Sequence, residues 1–210
     1  THGFLFRGVM NATGTPLLTI NGSTLAANGA YGVSFDGTAN VANLVLNGTG
    51  NLSAVGDVGG TVFGGSANAT GNVTVLGQSN GTSAGLFFTG NIGAGGDVVL
   101  NGVGNNRYGV NASGTIGAAG TITINGTSDD TTGVLLNSSL NLSANGSATI
   151  VARSNSTNGF FFAGVLNASG TPQLTINGTS AAAGGNYNGI AFTGDASVAN
   201  LTPNGVGNLS

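Results

Sequence analysis

The stretch GFLFRGVMNATGTPLLTING from Gly3 to Gly22 returns as GFFFAGVLNASGTPQLTING from Gly159 to Gly178. The copies lie 156 residues apart, and a second pair, YGVSFDGTANVANLVLNGTGNLS ending at Ser53 and NGIAFTGDASVANLTPNGVGNLS ending at Ser210, is offset by 157. A chain that copies itself at this scale is built from units that cannot bury an apolar face alone and must stack on one another.

A shorter period runs inside the long one. The signature Gly, apolar, any, apolar places coil starts at Gly3, Gly32, Gly60, Gly85, Gly109, Gly133, Gly159 and Gly189, with intervals of 24 to 30 residues. The first apolar column reads Phe4, Val33, Thr61, Leu86, Val110, Val134, Phe160, Ile190. The second reads Phe6, Phe35, Phe63, Phe88, Ala112, Leu136, Phe162, Phe192. A later segment of each coil repeats the alternation, from Leu18/Ile20 through Val98/Leu100 to Leu174/Ile176 and Leu201/Pro203. Residues two apart share one face of a strand, so both segments read as strands with an inward face. A third segment lies between them, typified by residues 165–170. Three short strands per coil predict an all-β, right-handed parallel β-helix of about eight coils, a single unit over 1–210 and a fragment of a longer repeat protein. Asn-Gly after the last strand, at Asn21, Asn47, Asn101, Asn125, Asn177 and Asn204, is expected to turn the corner with φ above zero.

Composition agrees with β structure. Glycine supplies 41 of 210 residues, Lys, Glu, Cys and Trp are absent, and the remaining Val, Ile, Thr and Phe favour strands over helices. Six Asp against Arg7, Arg107 and Arg153 leave no basic surface for phosphates, so nucleic acid is not an expected partner. No apolar run approaches the roughly 20 residues that span a bilayer as a helix, and no membrane insertion is expected.

Catalysis requires converging polar groups, and the supply is thin: one histidine, His2, with scattered Asp and Arg. No catalytic, cofactor or metal residue is assigned, and the chain is not expected to be an enzyme. The acidic pair Asp129-Asp130 reads as a solvated turn rather than a cation site. An ice-binding face is disfavoured, because Thr121-Ile122-Thr123 has no matching Thr-x-Thr in neighbouring coils. Between the two core columns an outward column carries Leu5, Val62, Phe87, Leu135 and Phe161, and Phe87 and Phe161 are a candidate binding stripe unless other chain covers them. Tyr31, Tyr108 and Tyr187 precede coil starts, where they can stack on sugars.

The Asn-x-Ser/Thr pattern occurs at 17 of the 28 asparagines. The candidate acceptors are Asn11, Asn21, Asn47, Asn51, Asn68, Asn72, Asn80, Asn111, Asn125, Asn137, Asn141, Asn145, Asn155, Asn167, Asn177, Asn200 and Asn208. Copying of one ancestral Asn-Gly-Thr turn by repetition gives the same pattern without any sugar. Both readings stand at this point.

Repeats such as GLFFTGNI (85–92), TITINGT (121–127) and NLSANGS (141–147), with the density of sequons, resemble the two-partner secretion exoprotein adhesins, the group of filamentous haemagglutinin, high-molecular-weight and EtpA-like adhesins. The resemblance covers essentially the whole chain. It implies export through an outer-membrane β-barrel transporter, a location outside the cell or on the bacterial surface, and attachment to host glycans, host surface proteins or other bacteria. An autotransporter passenger, or a carbohydrate-binding or carbohydrate-active β-helix module, is the alternative.

Overall fold

The computed structural model describes residues 2–25, 29–50, 58–183 and 187–207. Every regular element among them is a strand, and the strands form three parallel sheets of eight. Sheet A contains Phe4–Phe6, Ala30–Phe35, Val58–Phe63, Leu86–Phe88, Val110–Ala112, Val134–Leu136, Phe160–Phe162 and Ile190–Phe192. Sheet B follows in each coil, from Val9–Ala12 to Asp195–Val198, and sheet C closes it, from Leu18–Ser23 to Leu201–Val206. Each strand pairs with its equivalents one coil away, so the chain winds as a parallel β-helix of eight rungs and about seven full turns. At about 4.8 Å per rung the seven steps make a rod roughly 34 Å long.

The columns read from the sequence are the registers of the sheets. Phe6 pairs with Phe35, Phe88 with Phe63 and Ala112, and Phe162 with Leu136 and Phe192. In sheet C, Val98 and Leu100 pair with Ile122 and Ile124 on one side and with Val73 and Val75 on the other. Inward members of the central rungs are buried, with Phe35, Phe63, Phe88 and Phe162 at 0% exposure. Rings one rung apart stack, with centroids 4.9 Å apart for Phe6 and Phe35, 5.2 Å for Phe35 and Phe63, and 5.4 Å for Phe63 and Phe88. Such offset contacts add to the burial of the rings. Thr61 stands in an apolar column with no solvent exposure, and its hydroxyl donates to the Leu76 carbonyl.

One expectation is corrected. The Asn-Gly pairs do not turn corners: Asn21, Asn47, Asn101, Asn125, Asn177 and Asn204 and their glycines lie inside the strands of sheet C. Positive φ among the described residues is confined to Gly8, Gly29 and Gly114. The glycines are needed for close approach instead. A Cβ on Gly102 would overlap the Gly109 carbonyl, and one on Gly126 the Gly133 carbonyl, so sheets C and A meet along a seam of two facing glycine columns. The coil-start glycine and the Asn-Gly glycine are the two sides of that seam.

Just beyond the seam a column of buried serines ties three successive coils to the loops that lead into them from the coil before. Ser128 Oγ donates to the Arg107 carbonyl at 2.7 Å, Ser180 Oγ donates to the Thr157 carbonyl at 2.6 Å, and Ser154 repeats the bond to the Thr131 carbonyl. These bonds satisfy carbonyls that no sheet ladder reaches.

Candidate functional site

The outer surface of sheet A carries a cleft of about 440 Å3 in the middle of the rod. Its origin is a gap in one column. The position before each coil-start glycine is Tyr31 in rung 2, Gly59 in rung 3, Ala84 in rung 4 and Tyr108 in rung 5. Tyr31 and Gly59 are paired in register, Gly60 N–H donates to the Ala84 carbonyl at 3.4 Å, and Gly85 N–H to the Tyr108 carbonyl at 3.0 Å. Two large rings therefore flank two positions with almost no side chain, separated by three rungs, or about 14 Å between backbones.

Both rings are held. The edge of Tyr31 occupies the space where a Cβ on Gly59 would stand, so the ring leans over that glycine into the gap. On its other side Tyr31 stacks on His2, with centroids 5.7 Å apart and planes within 10°, and Tyr31 N–H donates to His2 Nδ1 at 3.2 Å. The single histidine is thus a buttress for Tyr31. At the far end the Arg107 guanidinium lies 5.0 Å from the centre of the Tyr108 ring, a cation–π contact. The Arg107 loop is fixed from below by Ser128 and laterally by Asn106, whose amide donates to the Asn80 carbonyl. Phe87 and Asn111, neighbours in the outward column, form the wall towards the middle of sheet A, and Thr82 and Ser83 the opposite rim.

Phe87 and Phe161 are both half-buried, and the structure does not bring them together. They occupy rungs 4 and 7 of one column, with Asn111 and Leu135 between them. Phe87 lines the cleft beside two of the three tyrosines, whereas Tyr187 stands exposed near rung 8. The column gap was present in the sequence, since aligning coil starts places Gly59 and Ala84 between Tyr31 and Tyr108. The position of Arg107 had no such signal, because it depends on how the rung 4 to rung 5 loop folds.

Fifteen candidate acceptor asparagines lie among the described residues and none is buried; Asn51 and Asn208 fall outside them. Several amide nitrogens are already committed; among them, that of Asn47 donates to Asn21 Oδ1 at 3.4 Å, that of Asn68 to Asn40 Oδ1 at 3.0 Å, that of Asn155 to Asp129 Oδ1 at 2.8 Å and that of Asn200 to the Pro172 carbonyl at 2.8 Å. Asn11 instead accepts from Asn40 at 2.7 Å through its oxygen. Asn11, Asn40 and Asn68 form a ladder on the face of sheet B that ends where the column becomes Gly93. Asp129 and Asp130 are both exposed, and the described residues contain no group of three His, Cys, Asp or Glu able to hold a metal ion.

A second corner ladder joins Asn43, Asn72, Asp97 and Thr121. Asn72 N–H donates to Asn43 Oδ1 at 2.7 Å, Asp97 N–H to Asn72 Oδ1 at 2.8 Å, and Thr121 donates to Asp97 Oδ1 through its N–H at 2.7 Å and its hydroxyl at 2.9 Å. The backbone and hydroxyl donors of Thr121 favour the ionised form and hold the Asp97 carboxyl below the usual carboxylate range. Compared with family models, with curated proteins and with solved structures, the chain matches none.

Proposed function

We propose that this chain is a fibre segment of a secreted bacterial surface adhesin, whose work is reach, stiffness and presentation of a repetitive polar surface to host cells or other bacteria. The observation that carries the reading is the surface of the rod: along eight rungs the described sequon asparagines all remain accessible, while in the central rungs most large apolar residues are buried. A parallel β-helix adds length at the cost of one coil per step, and every lateral strand has a partner on both sides except in the end rungs. The resemblance of its repeats to two-partner secretion exoproteins adds export through an outer-membrane β-barrel and hexose transfer to exposed asparagines. No residue is given a catalytic role.

The test is attachment. Beads carrying the chain are expected to bind epithelial or bacterial cells saturably, in excess of beads carrying an unrelated protein of similar charge. Binding no greater than that control would overturn the reading. Mass spectrometry of protein taken from the secreting cell is expected to find hexose on several of Asn11, Asn21, Asn72, Asn137, Asn141 and Asn145, with Asn68 and Asn155 modified least because their amide nitrogens are engaged.

A further inference from the structure

We infer that the cleft between Tyr31 and Tyr108 binds a carboxylated saccharide, with the rings of the sugar against the tyrosines and its carboxylate on Arg107. The inference rests on the adhesin reading and adds the ligand class and the residues that recognise it.

The walls decide what fits. Two pre-positioned aromatic rings suit a ligand with apolar C–H surfaces, and the amide of Asn111 and the hydroxyl of Thr82 supply polar partners at the rim. Sugars combine these features: apolar ring faces and a periphery of hydroxyls. The volume, about 440 Å3, lies within the range of small-molecule sites. An extended peptide would be recognised by adding a strand to an open sheet edge, and the strands around this cleft are paired on both sides.

The charge decides which saccharide. Among the described residues the one ion pair joins Arg7 to Asp36 at 3.7 Å, and the Arg107 guanidinium meets no carboxylate among them. Its planar fork is suited to a bidentate carboxylate, and stacking on Tyr108 holds it in one orientation before any ligand arrives. A chain of net charge −3 offers little general attraction to polyanions, so recognition depends on this local cation. Gly59 and His2 act as positioning residues, because they set the ring of Tyr31 without lining the cleft.

The experiment is a glycan array carrying uronate-bearing and other carboxylated oligosaccharides beside neutral ones, probed with the full chain made in a host lacking protein glycosyltransferases, so that Asn111 bears no sugar of its own. Capture confined to carboxylated glycans is expected. For the strongest of them, Arg107→Gln is expected to weaken binding at least tenfold, while leaving binding of its methyl ester unchanged. Tyr108→Ala is expected to weaken both, and Gly59→Val, which evicts the Tyr31 ring, to mimic Tyr31→Ala. Unchanged circular dichroism and melting of Arg107→Gln and Tyr108→Ala verify that the rod is intact. Capture of no carboxylated glycan, or full retention of binding by Arg107→Gln, overturns the inference. The same variants in the bead assay separate the two readings: attachment that survives Tyr31→Ala and Tyr108→Ala removes the cleft and keeps the adhesin, whereas wild-type beads that attach to nothing remove the adhesin.

Discussion

Rungs 2 and 3 and rungs 5 and 6 fill the same cross-section with different side chains. In rungs 2 and 3, sheet A contributes Phe35 and Phe63, and sheet B answers with Ala39 and Ala67. In rungs 5 and 6, sheet A drops to Ala112 and Leu136, and sheet B rises to Ile116 and to Leu140 with Leu142. All of these are buried, in one continuous core. In these four rungs volume is therefore balanced within the rung, across the rod, rather than along a column. The balance is lost in rung 4, which keeps both Phe88 and Ile92, and in rung 7, which buries Phe160, Phe162 and Leu166 together. Interiors tolerate exchange of apolar groups when total volume is conserved, and rungs 2, 3, 5 and 6 meet that condition.

The largest effect is expected from opening a Phe rung. Phe63→Ala removes a ring stacked on both sides and leaves Ala67 and Ala69 unable to reach the gap, so a loss of about 3–5 kcal/mol is expected by denaturant unfolding. A loss under about 1 kcal/mol would mean that the neighbouring rungs collapse into the space and that rungs are not filled separately.

The reverse experiment overfills a rung that already has its bulk in sheet B. Ala112→Phe is expected to cost about 1–3 kcal/mol, and Ile116→Ala added to it is expected to recover much of that loss although it is destabilising alone. Additive losses in the double variant would break the comparison.

A smaller effect is expected at Thr61, the polar member of an otherwise apolar column. Thr61→Val matches Val33 in the preceding coil, beside Leu86 in the following one, and removes one buried hydrogen bond, so a change of about 1 kcal/mol or less in either direction is expected. A severe loss would show that the hydroxyl is needed to hold the Leu76 carbonyl.

The smallest concerns the corner ladder. The Asp97 pKa is lowered on folding, so its contribution is present above the unfolded value and fades as pH falls through the folded one. Asp97→Asn keeps an acceptor of the kind Asn43 and Asn72 provide in the preceding coils and is expected to flatten the acid limb of the unfolding midpoint below about pH 4. An acid limb identical to wild type would assign the dependence to another carboxylate.

Much of this fold was legible because a solenoid writes its contacts as columns. Phe6, Phe35, Phe63 and Phe88 were aligned by spacing alone, and the sheets pair them so. The compensation in sheet B was less visible, since Ala39, Ile116 and Leu142 share a column only once the register is known. Leu140 shifts it further by standing opposite Gly114. The Asn-Gly glycines were misread for a physical reason: glycine serves a left-handed turn and a close backbone approach equally well, and a sequence does not distinguish the two. In the cleft, the tyrosines and the small residues between them could be read from the alignment. The buttress from His2 and the placement of Arg107 arise from stacking and loop closure, which leave no period.

The stacked rod itself is tested most directly by distances between spin labels on the outward column of sheet C, which contains Thr19 in rung 1, Thr74 in rung 3, Thr123 in rung 5 and Thr175 in rung 7. The pairs Thr19 with Thr123 and Thr74 with Thr175 each span four rungs and are expected at the same separation, about 19 Å at roughly 4.8 Å per rung, with Thr19 and Thr175 about 29 Å apart. Narrow distributions that grow in proportion to rung number are the expected result. Unequal distances for the two four-rung pairs, or a Thr19 to Thr175 distance no longer than either, would contradict a continuous three-sheet helix and every function proposed for its faces.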